Sequence, residues 1–195
     1  PVSKEAWYEQ YKVSVPDGER GPWRVERFEV PQFSIEGLRQ AVIGRDVPPG
    51  IYTRLMHSGV YPSLMMSDTP AEIRDHLRFI DRATGRVLIH GLGLGVCLQA
   101  VLRKSDVTHV DVVEIDSDVI ALVGPSYPDP RVTIIEADAL TYQFPSGTIW
   151  DVAWHDIWPS ICSDHLPEMA RLNRRYGHRI TWQGCWAQRE ARRQA

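Results

Sequence analysis

Cysteine, lysine and long apolar runs are scarce in this chain of 195 residues. The three cysteines, Cys97, Cys162 and Cys185, are widely spaced and form no CxxC or Cys/His pattern at zinc spacing, so neither a disulfide framework nor a metal site is expected. No run approaches the roughly 20 apolar residues of a membrane helix, and the first residues lack the basic-then-apolar pattern of a signal peptide. These absences predict a soluble, cytoplasmic protein without a membrane partner.

A strong excess of charge of one sign is also missing, since the formal net charge is −3. Arginine supplies 19 of the 22 basic residues, and lysine occurs only at Lys4, Lys12 and Lys104. The chain as a whole is therefore not drawn to nucleic acid or to an anionic membrane. Its 43% hydrophobic and 24% charged residues are typical of a globular protein with one domain and a small extra lobe.

Residues 1–83 predict a small N-terminal β/α lobe. A strand is expected at 23–30 and a short helix at 34–44, each bounded by turn-forming residues. Two further runs, 51–56 and 60–66, flank a short turn and indicate a β-hairpin.

A second helix of this lobe has a recognisable start. Thr69, Pro70 and Glu72 match a capping box with proline at the first helical position, which predicts a helix from Pro70 to about Ala83. Glu72 is therefore expected to act as the capping partner of Thr69 rather than as a substrate contact.

Residues 84–195 alternate between apolar runs and helical segments. Strands are expected at 87–90, 110–115, 132–135, 150–155 and 179–183, with helices at 96–103, 117–123 and 167–176. Valine and isoleucine without polar alternation indicate strands that are covered on both faces. The predicted fold is α/β: a Rossmann-like, doubly wound and mostly parallel sheet with the small N-terminal β/α extension.

A glycine turn and two acids suggest a nucleoside site. Gly91, Gly93 and Gly95 lie between the first strand of this domain and the following helix, where glycine lets a ligand approach the backbone closely. Glu114 ends the second strand, where a carboxylate accepts hydrogen bonds from ribose hydroxyls. Asp138 follows the third strand and can accept one from an adenine amino group.

The spacing of the glycines separates two cofactor classes. A nicotinamide dinucleotide site requires a third glycine at position 96, which is valine here. The GxGxG turn with its two acids instead fits adenosine without a pyrophosphate.

Residues 86–156 resemble the class I S-adenosylmethionine-dependent methyltransferase superfamily, and within it the spermidine synthase branch most closely. The matching motifs are Val87-Leu88-Ile89-His90-Gly91, Val113-Glu114-Ile115-Asp116, Asp129-Pro130-Arg131-Val132 and Asp138-Ala139. The resemblance implies S-adenosylmethionine as cofactor and S-adenosylhomocysteine as product. It assigns Glu114 and Ile115 to the ribose side of the cofactor and Asp138 and Ala139 to the adenine side.

The resemblance extends to the N-terminal hairpin and helix, which lie over the active site in the spermidine synthase branch. There it makes Asp68 and His76 candidate substrate contacts. Asp156 ends the fourth strand and is the candidate catalytic residue, because methyl transfer needs an aligned acceptor and a group that takes its proton. Trp158 follows it as a candidate wall of the acceptor pocket.

Departures from the branch bear on the reaction. Its glycine loop carries an aspartate where this chain has Leu94, and its D-S-S-D-P segment is replaced by Asp156-Ile157-Trp158-Pro159, with one acid left. A polyamine needs paired carboxylates to compensate its ammonium groups. The sequence therefore favours methyl transfer to a small-molecule acceptor over aminopropyl transfer.

Three functions stay open at this level: a small-molecule methyltransferase, a spermidine-synthase-like aminopropyltransferase, and a non-catalytic S-adenosylmethionine-binding module. Nucleic acid is a less favoured acceptor, since the C-terminal arginines near Trp182 and Trp186 are explained more simply by a solvated helix face. Only 12 residues follow Gln183, too few for the closing antiparallel hairpin of class I methyltransferases. Either the domain is a minimal version of this fold, or substrate recognition is left to the N-terminal lobe or to a second subunit of a homo-oligomer. His155 is expected to be packed or at the surface, and Cys97 to be buried.

Overall fold

The computed structural model of the chain describes residues 7–32, 47–59 and 64–195. The helix expected at 34–44 and the first part of the second hairpin strand, residues 60–63, lie outside the described residues.

The N-terminal part forms a four-stranded antiparallel sheet in the order β1-β2-β3-β4. Its strands are β1 (Gly18–Arg20), β2 (Trp23–Val30), β3 (Gly50–His57) and β4 (Leu64–Ser67). The expected strand at 23–30 and the pairing of the hairpin strands are confirmed. One face of the sheet turns Val25, Tyr52 and Leu55 into the interior, and this face packs the sheet on the rest of the molecule.

Helix α1 (Pro70–Arg82) follows β4 directly and buries Ile73, His76, Phe79 and Ile80. Its bounds agree with the sequence, but the predicted capping box is wrong. The Thr69 side chain makes no capping bond, because its hydroxyl is paired with the hydroxyl of Ser67 at 2.9 Å. Glu72 Oε2 accepts a hydrogen bond from the Ser67 amide at 2.5 Å, so it fastens the end of β4 to the helix.

A five-stranded parallel sheet forms the second part, in the order β7-β6-β5-β8-β9. Its elements are β5 (Gly85–His90), α2 (Val96–Leu102), β6 (Val107–Glu114), α3 (Ser117–Val123), β7 (Val132–Glu136), β8 (Trp150–His155), α4 (Leu166–Tyr176), β9 (Ile180–Cys185) and α5 (Gln188–Arg193). This is the Rossmann-like architecture predicted from the alternating pattern, and β9 extends the expected fifth strand to Cys185. The strand order reverses between β5 and β8, and such a switch point is where open α/β sheets bind ligands.

Both faces of the parallel sheet are covered. On one face, Val87 and Ile89 of β5 share a hydrophobic cluster with Ile73 of α1 and with Tyr52 and Leu55 of the N-terminal sheet. On the other face, α4 packs Met169 and Leu172 against the sheet. The division at residues 83 and 84 stays a prediction, and the two parts share one core across it.

Cys97 and Cys185 are buried, Cys162 is half-buried, and all three are free thiols. Among the described residues, no group of three histidine, cysteine or acidic side chains is placed to hold a metal ion. No helix in the described ranges is long and apolar enough to cross a bilayer.

Candidate functional site

A cavity of about 330 Å³ lies at the carboxyl edge of the parallel sheet, over the ends of β5, β6 and β8. Most of the residues singled out by the sequence line it: Gly91, Gly93, Glu114, Ile115, Asp138, Ala139, Asp156 and Trp158. The N-terminal sheet contributes Trp23, Leu55, Met65 and Met66 to the opposite wall. The cavity therefore lies between the two sheets, at the switch point.

The glycine turn has backbone constraints at both of its ends. Gly91 has a φ of 92°, and a Cβ there would lie 2.1 Å from the backbone oxygen of Asp156. Gly95 has a φ of 77° and lies against the ring of Tyr127, whose hydroxyl donates to the Leu94 carbonyl at 2.7 Å. Gly91 thus keeps the turn close to Asp156, while Gly95 lies at the start of α2 and is not part of the cavity wall.

Glu114 is the buried last residue of β6, and its carboxylate joins two loops. Its Oε2 accepts from the Leu92 amide at 2.7 Å and its Oε1 from the Asp116 amide at 3.0 Å. A carboxylate has about four acceptor positions, so two stay available toward the cavity. The side chain can therefore hold the glycine turn and still accept from a ligand hydroxyl.

The two positions assigned to the adenine side follow β7. Asp138 Oδ1 accepts from the Leu140 amide at 2.8 Å, and Oδ2 accepts from the Thr141 hydroxyl at 3.1 Å. These bonds orient the carboxylate at the cavity wall, next to buried Ala139. On the other side of the cavity Ile115 is 68% exposed, so it presents an apolar surface that a bound ring system could cover.

Asp156 is the most perturbed acid of the cavity. Its side chain is 12% exposed. Burial raises its pKa to about 8, and the nearby carboxylates of Glu72, Asp75 and Glu114 add to the effect. Its backbone amide donates to the His90 carbonyl at 2.9 Å, which fixes the start of the loop after β8.

His76 lies behind Asp156 rather than in the cavity wall. Its Nε2 is 3.9 Å from Asp156 Oδ2, and burial lowers its pKa to about 4, so the ring is neutral at physiological pH. Its Nδ1 has no hydrogen-bond partner among the described residues. The structure therefore brings His76 to the candidate catalytic carboxyl rather than to the cavity.

Asp68, the other candidate substrate contact, is placed elsewhere. It is 1% exposed, and its oxygens accept from the amides of Thr53 at 2.6 Å and Val13 at 3.1 Å. It does not line the cavity. Its geometry is that of a structural residue that ties β3 to the segment before β1.

Trp158 does line the cavity, and its Nε1 donates to Glu168 Oε2 at 2.9 Å. Glu168 of α4 thereby brings a carboxylate into the cavity wall that the linear motif after β8 does not contain. No spacing rule in the sequence marked it, because it comes from the following helix.

Trp23 and Met66 are also contributions that the sequence analysis missed. The Trp23 Nε1 donates to Asp116 Oδ2 at 2.7 Å and so joins the N-terminal sheet to the loop after β6. The Met66 sulfur lies 3.3 Å from the Leu94 amide, inside the glycine turn. Asp116 belongs to a motif noted above, but its partners depend on how the two sheets pack.

His155 is buried, which is one of the two placements expected from the sequence. It lies beside His90 on the adjacent strand. The two Nδ1 atoms are 2.9 Å apart, and His155 Nε2 is 3.1 Å from Gln183 Oε1. Because Gln183 Oε1 is an acceptor, His155 carries its proton on Nε2, and His90 donates from Nδ1. Burial lowers the pKa of both rings, which keeps the pair neutral directly beneath the glycine turn and Asp156.

The fold and site define the class: a Rossmann-like domain with an acid-lined cavity at its switch point. No family model matches the chain. Among curated proteins, it is 39% identical over 80 residues to a polyamine aminopropyltransferase of Synechococcus sp. (strain JA-2-3B'a(2-13)), covering 37% of this chain and 26% of that protein. It is 45% identical over 71 residues to a ribosomal RNA small subunit methyltransferase A of Bordetella petrii, covering 36% and 26% respectively.

The solved structures that match the chain include spermidine synthase from Thermotoga maritima, with a TM-score of 0.47, 20% identity and coverage of 80% of this chain and 52% of that one. The CcbJ methyltransferase from Streptomyces caelestis gives a TM-score of 0.44 at 16% identity, covering 57% and 45%. The matched segments span about a quarter of the length of the curated relatives. The sequence matches confirm the resemblance to class I S-adenosylmethionine-dependent methyltransferases and to the spermidine synthase branch.

Proposed function

We propose that the protein is a methyltransferase that uses S-adenosylmethionine. The observation that carries the proposal is the meeting of Glu114, Asp138 and Asp156 in one cavity at the switch point of the sheet. The first two acids fit the adenosine part of the cofactor, and the third lies where an acceptor would be deprotonated.

The residues present fit this cofactor. The cavity volume of about 330 Å³ is within the usual range for small-molecule sites, and Glu114 keeps acceptor positions for ribose hydroxyls. Asp138 would accept from the adenine amino group, while Ile115 would cover one face of the adenosine. The Gly91–Gly95 turn and Met66 would enclose the remainder of the ligand.

When bound, the cofactor supplies a methyl group on a positively charged sulfur. The acceptor's nucleophilic atom forms a bond to the methyl carbon as the carbon–sulfur bond breaks, leaving S-adenosylhomocysteine. Asp156 in its ionised form takes the proton that the acceptor loses. Its pKa of about 8 makes it a stronger base than an exposed aspartate, and neutral His76 sets no positive charge beside it.

The nature of the acceptor is a second part of the proposal. The absence of a second acid in Asp156-Ile157-Trp158-Pro159 favours a small-molecule acceptor other than a polyamine. The ribosomal RNA methyltransferase relatives make a nucleic-acid acceptor the other candidate.

Aminopropyl transfer is the second candidate reaction, and one observation favours it. Glu168 brings a further carboxylate to the cavity beside Trp158, and this partly restores the acidic lining that a polyamine would need. The aminopropyltransferase relatives are consistent with this alternative.

A thermal-shift titration tests the proposal with five ligands: S-adenosylmethionine, S-adenosylhomocysteine, decarboxylated S-adenosylmethionine, methylthioadenosine and NAD. A ligand at 100 times its Kd adds about 2.7 kcal/mol, which raises the Tm of a domain of this size by about 5–11 °C. We expect this shift from the two carboxylated compounds. A preference for the decarboxylated compound or methylthioadenosine favours aminopropyl transfer, and no shift from any nucleoside contradicts the assignment of the site.

A pair of variants gives the matched control. Glu114→Gln replaces the carboxylate that would accept hydrogen bonds from the ribose by a neutral amide, and it should reduce the thermal shift. Glu136→Gln changes an exposed acid at a strand end outside the cavity and should preserve the thermal shift.

A further inference from the structure

A second cavity, of about 540 Å³, lies between α1, α5 and the carboxyl ends of β8 and β9. Four arginines line it, Arg74 and Arg78 from α1 and Arg189 and Arg192 from α5. We call this cavity the arginine groove. It is separate from the acid-lined cavity described above, with no lining residue in common.

The groove concentrates positive charge in a chain whose net charge is −3. Asp75 and Glu190 are the acids in its lining, so the positive charges exceed the negative ones by two. No ion pair among the described residues involves Arg78, Arg189 or Arg192. Their guanidinium groups are therefore available to an anion.

Trp182, the half-buried indole of the lining, forms the aromatic wall of the groove. The guanidinium groups of Arg78 and Arg82 lie 5.6 and 5.2 Å from the centre of the Trp182 ring. Trp154 is buried beside it, and its Nε1 has no hydrogen-bond partner among the described residues. A Cβ at Gly184 would lie 2.9 Å from Trp154 and 3.0 Å from Trp182, so the missing side chain lets both rings approach β9.

The groove lies beside the acid-lined cavity without including Asp156 in its lining. Trp154 precedes Asp156 by two residues and contacts His76 edge-on, with ring centres 6.0 Å apart. The loop after β8 lines both cavities, since Ile157 faces the first and Ile161 faces the groove. The buried side chains of Trp154 and His76 connect the groove lining to Asp156, which does not itself line the groove.

Guanidinium groups next to an aromatic face suit a ligand that has both phosphate and a flat ring. Arginine binds phosphate in a bidentate manner, and indole rings stack on nucleobases without regard to sequence. An acidic peptide would use the charges but leave the aromatic wall without a matching surface.

We propose that the arginine groove binds a nucleotide, free or as part of a single strand. This binding is argued from the groove alone and does not depend on the proposed methyltransferase function.

Fluorescence anisotropy with a labelled single-stranded RNA of 12 nucleotides tests the binding, and adenosine monophosphate serves as the free-nucleotide arm. Contacts to three or four phosphates predict that strand affinity falls about 20- to 50-fold between 50 and 200 mM salt. The double variant Arg78→Glu, Arg189→Glu should weaken binding about tenfold or more. The matched control Arg171→Glu, Arg174→Glu makes the same charge change on exposed positions of α4 that do not line the groove, and should bind as the unmodified protein does.

The outcomes separate the groove from the methyltransferase proposal. If the groove variant loses RNA binding and the control variant does not, the ligand is a single strand. If the groove variant alone loses adenosine monophosphate binding, and RNA binds no more tightly than the monophosphate, the ligand is a free nucleotide. Absence of both kinds of binding in the unmodified protein, or equal losses in the two double variants, overturns the proposal. Thermal shifts with S-adenosylhomocysteine are measured on all three proteins. If none is stabilised while RNA binding is lost only in the groove variant, the result supports the groove proposal and contradicts the methyltransferase proposal.

Discussion

At the scale of single residues, the chemistry of the cavity depends on how Asp156 is surrounded. Three other carboxylates and a nearly dry environment favour its protonated form, and the His76 imidazole 3.9 Å from it is neutral. An exposed aspartate is ionised at neutral pH but is a weak base. Asp156 is ionised in a smaller fraction of molecules, and each ionised carboxylate accepts a proton more readily.

Asp156→Asn is expected to lower kcat by about 10²- to 10⁴-fold, because the amide cannot accept the acceptor's proton. The Kd of S-adenosylhomocysteine should stay within about twofold, since the amide has the same size. In the unmodified enzyme kcat should rise as pH increases through about 8, where the carboxyl ionises.

Asp164→Asn, at an exposed position in the turn before α4, is the control and should leave both quantities unchanged. A kcat that survives in Asp156→Asn would remove Asp156 from the mechanism.

At the scale of elements, the junction between β3 and the segment before β1 depends on one buried carboxylate. Asp68 follows β4 and accepts hydrogen bonds from the amides of Thr53 in β3 and Val13. Backbone amides that lose their partner in the interior cost about 1–3 kcal/mol each. The N-terminal wall of the cavity is therefore fastened by a side chain that does not itself line the cavity.

Asp68→Ala should lower the free energy of unfolding by about 2–5 kcal/mol, measured by urea denaturation, because two buried amides are left unpaired. Cofactor affinity at a temperature where the variant is folded should change little. Asp17→Ala, which removes an exposed carboxylate bonded to the Arg27 amide, should cost far less. Loss of turnover with unchanged stability would instead support Asp68 as a substrate contact.

The sequence predicted the five strands of the second part, its first three helices and the parallel arrangement of its sheet, because their apolar runs and turn residues are local signals. It did not predict α5. It also placed Glu114, Asp138 and Asp156 correctly at one sheet edge, since parallel strands end on the same side. It could not predict that Glu72 bonds to Ser67 rather than to Thr69, because both partners lie within reach of the same carboxylate.

Local sequence patterns also could not predict the contacts between elements. Asp68 and Trp23 resemble ordinary loop and strand residues until the two sheets are packed together. Glu168 enters the cavity from a helix that begins ten residues after Asp156, and no motif spacing marks it.

At the scale of the whole molecule, two kinds of buried titratable group set the pH range of stability: histidines that destabilise the fold as pH falls, and an aspartate that destabilises it as pH rises. Burial lowers the pKa of His76 and of His155 to about 4, and that of His90 as well. The contribution of these histidines to the free energy of unfolding is full above about pH 6.5. It is lost as pH falls toward 4, because the unfolded chain binds the protons more tightly. Asp156 behaves in the opposite way: its contribution is full below about pH 4 and is lost as pH rises to about 8.

We therefore expect maximal stability near pH 6.5. On the acid side His76 and His155 each remove about 3 kcal/mol by pH 4, which exceeds the opposite effect of Asp156, and on the alkaline side Asp156 removes about 2 kcal/mol by pH 8. Urea denaturation between pH 4.5 and 8.5 measures both limbs. Asp156→Asn should flatten the alkaline limb and make the acid limb steeper, because Asp156 opposes the histidines there, and replacement of the exposed His178 by Asn should alter neither. Stability that is constant from pH 5 to 8 would contradict the burial of these groups.

The Met66 sulfur inside the glycine turn makes the cavity sensitive to oxidants. Oxidation to the sulfoxide would add a polar oxygen where the thioether now meets the Leu94 amide and lies close to Gly93. Mild peroxide treatment should therefore weaken S-adenosylhomocysteine binding, and a methionine sulfoxide reductase should restore it. Met66→Leu should bind the ligand equally well before and after peroxide, which would locate the effect at this sulfur and link cofactor affinity to the redox state of the surroundings.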